Sequence, residues 1–221
     1  MTEAARQLLL QGAAALGVEL VPAQLASFAL LAAELRNWNR RINLTAIRGE
    51  EEVVLKHFVD SLTLLPLVRT ARTLLDLGSG AGFPGLPLKI VLPDLAVVSV
   101  DAVEKKILFQ RHAARTLGLT GFTPLHCRGE ELPARYPAGF DVIVARAFAD
   151  LPSFLRLAQP LLAPGGTIIA MKGEGGCREA EAAAAAVTAL GLAIREVRVF
   201  RLPVSGESRS LIILAQTASA T

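Results

Sequence analysis

The chain contains only two cysteines, one tryptophan, one tyrosine and three histidines in 221 residues. Cys127 and Cys177 cannot build a disulfide framework, and neither stands at a metal-ligand spacing. Zinc is therefore not expected, and sparse cysteine suits a reducing cytoplasm. Charge is also sparse, at 19% of residues with a net +3, whereas 52% are hydrophobic, enough to fill a core and to exclude a disordered chain. The apolar residues are dispersed Ala, Leu and Val, and no stretch approaches the roughly 18 consecutive apolar residues of a membrane span. The opening MTEAARQLLL carries an acid where a signal peptide needs a basic region, so a cytoplasmic protein without a membrane role is expected. At about 100–200 residues per domain the length fits one domain with an extension and excludes two full catalytic domains.

Positive charge is clustered. Arg36, Arg40 and Arg41 share one segment, and Arg195, Arg198, Arg201 and Arg209 crowd the C-terminal fifth. Such clustering is the expected footprint for a phosphate backbone, with a solvated surface of mixed sign as the alternative.

From Ala4 to Trp38 apolar residues recur at three- and four-residue spacing, interrupted at Gly17 and Pro22, which predicts amphipathic helices. A further helix is expected from Glu50 to Leu65, with acids at its positive dipole end and Pro66 beyond it. The pattern then alternates. Strands TLLDLG, AVVSVDA, TPLHCR, FDVIVARA and GTIIAMKG mostly alternate with helical stretches, the last of them running Glu179–Leu190, and IREVRVFRL and SLIILAQ follow with no helix between them. This predicts an α/β fold, a doubly wound and mostly parallel sheet with an antiparallel edge hairpin, and a ligand at the carboxyl ends of the strands. Residues 1–63 form the helical extension and 64–221 the catalytic domain.

The strongest motif is Asp76-Leu77-Gly78-Ser79-Gly80-Ala81-Gly82-Phe83-Pro84-Gly85, directly after an apolar strand. Alternate glycines permit positive φ and remove Cβ atoms, so a bulky adenosine can approach backbone N–H groups. Asp101 ends the next strand, where a carboxylate can accept ribose hydroxyls. A dinucleotide fingerprint needs glycine at 83, where Phe83 stands, and Asp76 suits a cationic amino-acid moiety better than a pyrophosphate. These features favour S-adenosylmethionine. An NAD-dependent oxidoreductase and a non-catalytic nucleotide-binding protein remain alternatives, the former weakened by the lack of a Tyr-x-x-x-Lys pair.

Further motifs lie along nearly the whole chain: Trp38-Asn39-Arg40-Arg41-Ile42-Asn43-Leu44-Thr45, Lys56-His57-Phe58-Val59-Asp60-Ser61, Arg128-Gly129-Glu130-Glu131, Ala145-Arg146-Ala147-Phe148 and Met171-Lys172-Gly173. With the glycine turn and in this order, they resemble the small-subunit 16S ribosomal RNA guanine-N7 methyltransferase family, also called glucose-inhibited division protein B. The resemblance implies a class I (Rossmann-like) S-adenosylmethionine-dependent methyltransferase, acting on 16S ribosomal RNA or the small subunit, expected as a monomer without a metal. By position it implies cofactor contacts at Gly78, Phe83, Asp101, Gly129 and Glu130. Arg146 is implied at the mouth of the site, as the residue for both cofactor and catalysis.

Several of these positions have their own chemistry. An arginine closing the apolar strand FDVIVARA is costly without a partner, so Arg146 is expected to hold a phosphate, the cofactor carboxylate or the O6 side of a guanine. Glu130 could read an adenine edge or simply stabilise a helix N-terminus. N7 of guanine carries a lone pair and no proton, so no general base is required and the Asn-Pro-Pro-Tyr-type loop of amine methyltransferases is not needed. Trp38 reads as packing, Asn43 and Thr45 as turn and cap residues, and Cys127 as a small buried hydrophobe. His57 with Asp60-Ser61 lacks a G-x-S-x-G elbow. Lys172 fits either a phosphate contact or a surface ion pair.

Overall fold

A computed structural model describes residues 1–146, 148 and 150–217. Two helices, α1 (Glu3–Ala15) and α2 (Pro22–Asn39), begin the chain. Thr2 caps the first by accepting from Ala5 N–H, and Pro22 opens the second, where its missing N–H costs nothing.

The helix expected from Glu50 to Leu65 is corrected. Only Glu50–Val53 (α3) and Asp60–Leu62 (α4) are α-helical, and Val54–Val59 between them is a π-helix. The next short helix, α5 (Leu65–Val68), takes Pro66 in its own first turn, so the proline opens a helix where it was expected to end one.

The sheet has seven strands: β1 (Thr73–Leu77), β2 (Ala96–Asp101), β3 (Phe122–His126), β4 (Phe140–Arg146), β5 (Leu162–Lys172), β6 (Leu192–Arg201) and β7 (Ser208–Gln216). Their order is β3-β2-β1-β4-β5-β7-β6, with β1 to β5 mutually parallel and β7 antiparallel to both its neighbours. The expected edge hairpin is present, with β7 inserted between β5 and β6. Between β1 and β4 the strand order reverses, which opens a crevice at their carboxyl ends.

Helices α6 (Gly85–Val91), α7 (Glu104–Thr116), α8 (Leu132–Arg135) and α9 (Leu151–Ala158) link the parallel strands. The Ala-rich stretch divides into α10 (Gly176–Ala182) and α11 (Ala184–Ala189), broken at Ala183 and beginning earlier than the sequence suggests.

Alternation along the strands sends successive side chains into two cores. Leu74, Val142 and Val144 face one core with Leu9, Phe28 and Phe58 of the N-terminal segment; Leu75, Ile143 and Ala145 face the other with Phe154 and Leu155. The N-terminal helices thus share a core with the sheet. Trp38 packs on Phe109, with ring centroids 5.7 Å apart, and Cys127 is buried, as the sequence suggests. Among the described residues no helix is long and apolar enough to cross a membrane, and no cluster of His, Cys, Asp or Glu is arranged for a metal ion.

Candidate active site

β1 delivers the glycine turn to the carboxyl edge of the sheet. Gly78, Gly80 and Gly82 have φ of +69°, +60° and +91°, conformations that an L side chain rarely adopts. At Gly82 an added Cβ would lie 2.5 Å from Leu86 Cδ1, whereas at Gly80 it would meet nothing within 4 Å. The turn therefore packs inward at Gly82 and is open at Gly80. Gly78 N–H donates to the Val100 carbonyl at 2.9 Å, and Gly80 N–H to Asp101 Oδ2 at 2.9 Å. Asp101 Oδ1 accepts from Val103 N–H at 2.8 Å, and Lys106 Nζ lies 3.5 Å from Oδ2. The predicted ribose-side acid thus also shapes the turn, with lone pairs to spare.

Sequence reasoning missed Gln110. This fully buried side chain donates through Nε2 to Ser79 Oγ and to the Gly80 carbonyl, both at 2.8 Å, clamping the turn from α7. Its signal was available: an amide in helical register with the buried Ile107 and Ala114 needs a polar partner.

Asp76 corrects a sequence expectation. It is fully buried beneath the turn, where Oδ2 accepts from Gly85 N–H at 2.9 Å and Oδ1 has no partner among the described residues. Burial pushes its pKa up to about 7, opposed by the Gly85 hydrogen bond and by Arg146. It braces the start of α6 from inside and does not face a ligand's ammonium.

Asp101 pairs across the sheet with His126 of β3, after which a 3₁₀ turn, Gly129–Glu131, brings Gly129 and the exposed Glu130 to the same edge. Arg128 N–H donates to Glu131 Oε1 at 3.0 Å and fixes this turn. Asp101 therefore stands against a turn that is open at Gly80, and the exposed Glu130 lies at the same edge of the sheet. These carboxylates are acceptors that suit hydroxyls and an exocyclic amine, so the residues fit an adenosine carrying no phosphate.

Arg146 closes β4. Its Nη1 donates to the Lys56 carbonyl at 2.9 Å and lies 3.7 Å from Asp60 Oδ2, with Cζ 5.5 Å from the Phe83 ring centroid. Asp60 Oδ1 accepts from Arg209 Nε at 3.0 Å, and Glu207 bridges Arg209 at 2.8 Å and Lys56 at 3.4 Å. Burial raises the pKa of Asp60, against the pull of the two guanidiniums. Lys56, His57, Asp60, Arg146, Lys172 and Arg209 line a cleft of about 380 Å³ beside the glycine turn.

The π-helix that carries Lys56 and His57 is a rare geometry often found at functional positions. Imidazole and phenyl rings stack between His57 and Phe83, and His57 Nε2 is 3.1 Å from Thr45 Oγ1. Burial, reinforced by Arg146, pushes the His57 pKa down to about 3, so its ring is neutral. Phe83 is 1% exposed, so its side chain is an internal wall of the turn. Thr45 is more than a cap residue, since Asn39 fixes its backbone and its hydroxyl reaches His57.

Other expectations change. Lys172 donates to Glu179 Oε1 at 2.7 Å and to the Phe148 carbonyl at 3.2 Å, which supports the ion-pair reading. Phe148 lies over the turn, 3.4 Å from where a Cβ on Gly78 would stand, and Ala147 of the same motif is outside the described residues. The C-terminal arginines are not one open basic face. Arg209 is turned inward onto Asp60, and Arg198 is held by both oxygens of Glu196. Arg40 and Arg41 are exposed beside a second cleft of about 460 Å³ lined also by Trp38.

Comparisons with known proteins bear on the family and the fold. Residues 24–211 match the family model described as rRNA small subunit methyltransferase G. The protein named ribosomal RNA small subunit methyltransferase G from Geobacter metallireducens is 58% identical over 98% of this chain and 98% of its own, and that of Geobacter sulfurreducens is 57% identical over 96% and 98%. Among solved structures, a precorrin-6y C5,15-methyltransferase from Geobacter metallireducens superposes with a TM-score of 0.57 at 12% identity, covering 79% of this chain and 91% of that one. That likeness concerns the fold, which is the class I methyltransferase architecture.

Proposed function

Since the chain belongs to the rRNA small subunit methyltransferase G family, we infer that it transfers a methyl group from S-adenosylmethionine to N7 of one guanosine in small-subunit (16S) ribosomal RNA. Membership in a methyltransferase family displaces the dehydrogenase and the non-catalytic readings. The cofactor supplies an electrophilic methyl on its sulfonium. The protein's task is to hold it and to bring a nucleophile into line.

Gly78 and Gly80 let the adenosine lie against backbone, Asp101 takes the ribose hydroxyls, and Gly129 with Glu130 takes the adenine edge. Phe83 contributes as the buried wall that keeps the turn in shape. Arg146, pinned by the Lys56 carbonyl and Asp60, directs its remaining N–H groups toward the cofactor carboxylate or the O6 side of the base. Residues 1–63 form the RNA entrance, with Arg40 and Arg41 on its exposed side. We expect a monomer working in the bacterial cytoplasm.

One observation carries the choice of N7: the cleft offers no competent base. Among the described residues its single lining carboxylate, Asp60, has each oxygen turned onto a guanidinium, Oδ1 on Arg209 and Oδ2 on Arg146, and neutral His57 with a pKa of about 3 is too weak. An acceptor that must lose a proton would be poorly served, whereas N7 needs only alignment and a suitable field.

The test is transfer of a labelled methyl group from S-adenosylmethionine to small subunits lacking this modification and to their protein-free RNA, with the product nucleoside identified by mass spectrometry. Label in 7-methylguanosine is expected. Label on an exocyclic amine, or none despite cofactor binding, would overturn the assignment.

A further inference from the structure

Among the described residues, Val204 is the one non-glycine residue with positive φ, at +69°. A β-branched side chain is especially costly there. The surrounding turn is tightly specified. Gly206 N–H donates to the Leu202 carbonyl at 2.9 Å, Leu202 N–H to the Glu207 carbonyl at 2.8 Å, and Ser205 N–H to the Pro203 carbonyl at 2.8 Å. The last bond closes a three-residue turn with Val204 at its apex, a strained form that persists only when its surroundings impose it. Leu202 anchors the turn in the core at 1% exposure, while Val204 is held out at 49%.

The turn lies on the rim of the cleft. Glu207, which closes it, bridges Lys56 and Arg209, two cleft-lining residues. Arg201 supports it from the other side, with Nη1 donating to the Gly206 carbonyl at 3.0 Å. The apex is thus an apolar point held out on a turn whose closing residue, Glu207, grips two side chains of the cleft.

A base in stacked RNA cannot reach such a cleft until it leaves its neighbours, and apolar side chains inserted at base steps are a known means of holding a stack open. We propose that Val204 is an unstacking wedge, which fills the gap beside the extruded guanosine and makes a stacked, structured RNA the preferred acceptor. The proposal rests on the RNA methyltransferase reading. The cleft beside the turn is lined by four cationic side chains, Lys56, Arg146, Lys172 and Arg209, against one carboxylate, Asp60, a balance that favours a phosphate-bearing partner.

Val204→Gly removes the wedge and relieves the φ strain at the same time. With wild-type enzyme active on unmethylated small subunits, Val204→Gly is expected to keep or raise the melting temperature and to keep cofactor affinity. Its kcat/KM for the subunits should fall at least about tenfold, equivalent to about 1.4 kcal/mol of lost unstacking compensation. Val204→Leu, which restores an apolar side chain, should recover most of that loss. A photoreactive leucine analogue at position 204 should crosslink to RNA in the subunit.

Wild-type kcat/KM in Val204→Gly would overturn the wedge, as would a fall that merely tracks a lower melting temperature. Crosslinks to ribosomal protein alone would do the same and assign the apex to a protein contact. A wild-type enzyme that methylates no RNA would instead remove the underlying function, a result distinguishable before any variant is made.

Discussion

The imidazole of His57 lies flat on the phenyl ring of Phe83, with centroids 4.4 Å apart and planes 5° from parallel. Through this stack the π-helix touches the glycine turn, and through Thr45 it also touches the loop that follows the Arg40–Arg41 pair. The N-terminal segment and the glycine turn are therefore one packed unit. Four predictions follow from this arrangement and its neighbours.

Stability should respond to pH through two opposing groups. The His57 pKa is lowered from 6.5 to about 3, so its contribution is present above about pH 6.5 and is lost as pH falls toward 3. The Asp76 pKa is raised from 3.8 to about 7, so its contribution is present below about pH 3.8 and is lost as pH rises toward 7. Each acts with a slope of about 1.4 kcal/mol per pH unit inside its window, and between about pH 4 and 6.5 the two offset each other. Asp76→Asn keeps an acceptor for Gly85 N–H and removes the second group. Its stability relative to wild type should climb with pH from 4 to 7, as followed by urea unfolding, and a flat difference would contradict the buried-carboxylate assignment.

The glycines of the turn should separate folding from binding. Gly80→Ala has room for its Cβ but keeps φ at +60°, so it should cost about 1–2 kcal/mol of stability. Its methyl would enter the open side of the turn, so S-adenosylmethionine affinity should drop by more than about tenfold. Gly82→Ala adds a 2.5 Å contact with Leu86, which should cost about 1–3 kcal/mol beyond the φ penalty. Thermal unfolding and titration calorimetry read both effects. Normal cofactor binding by Gly80→Ala would mean that the ligand does not lie over that residue.

Arg146→Lys keeps the charge but cannot hold the Lys56 carbonyl and Asp60 while presenting a planar fork to a ligand. A fall in kcat/KM of about 100-fold, with a Tm within a few degrees of wild type, is expected in the labelled-methyl assay. Arg146→Ala should in addition lose about 2–3 kcal/mol, less than fully stranding a buried charge because Arg209 still pairs with Asp60. Wild-type turnover and affinities in Arg146→Lys would remove the residue from the site.

RNA affinity should weaken steeply with salt, and the slope should depend on the exposed N-terminal arginines. Replacing Arg40 and Arg41 together by Ala should lower the slope of log K against log salt by about two, roughly one per lost phosphate contact. Arg209→Ala should act through stability, because that guanidinium is turned onto Asp60. Filter binding over a salt series distinguishes the two, and an unchanged slope in the Arg40 and Arg41 double variant would move the RNA path elsewhere.

Local rules made much of this molecule legible in the sequence. Alternation of strand and helix gave the parallel sheet, the absence of a helix between the last two strands gave the hairpin, and closely spaced glycines gave the turn. Gly78, Asp101 and Arg146 follow or end strands whose direction the alternation fixes, and the family resemblance added Gly129 and Glu130 to the same edge. Such features depend on φ, on short-range periodicity and on chain direction, all of which a short stretch of sequence carries.

What only the tertiary structure decided involves groups far apart in the chain. Arg209 meets Asp60 across 149 positions, Arg146 meets the Lys56 carbonyl across 90, and Gln110 reaches Ser79 across 31. Asp76 reads as a ligand carboxylate in the sequence, yet packing buries it under its own turn. Burial, pairing and the pKa values that follow from them are properties of the closed molecule, since the cost of removing a charge from water depends on every group that surrounds it.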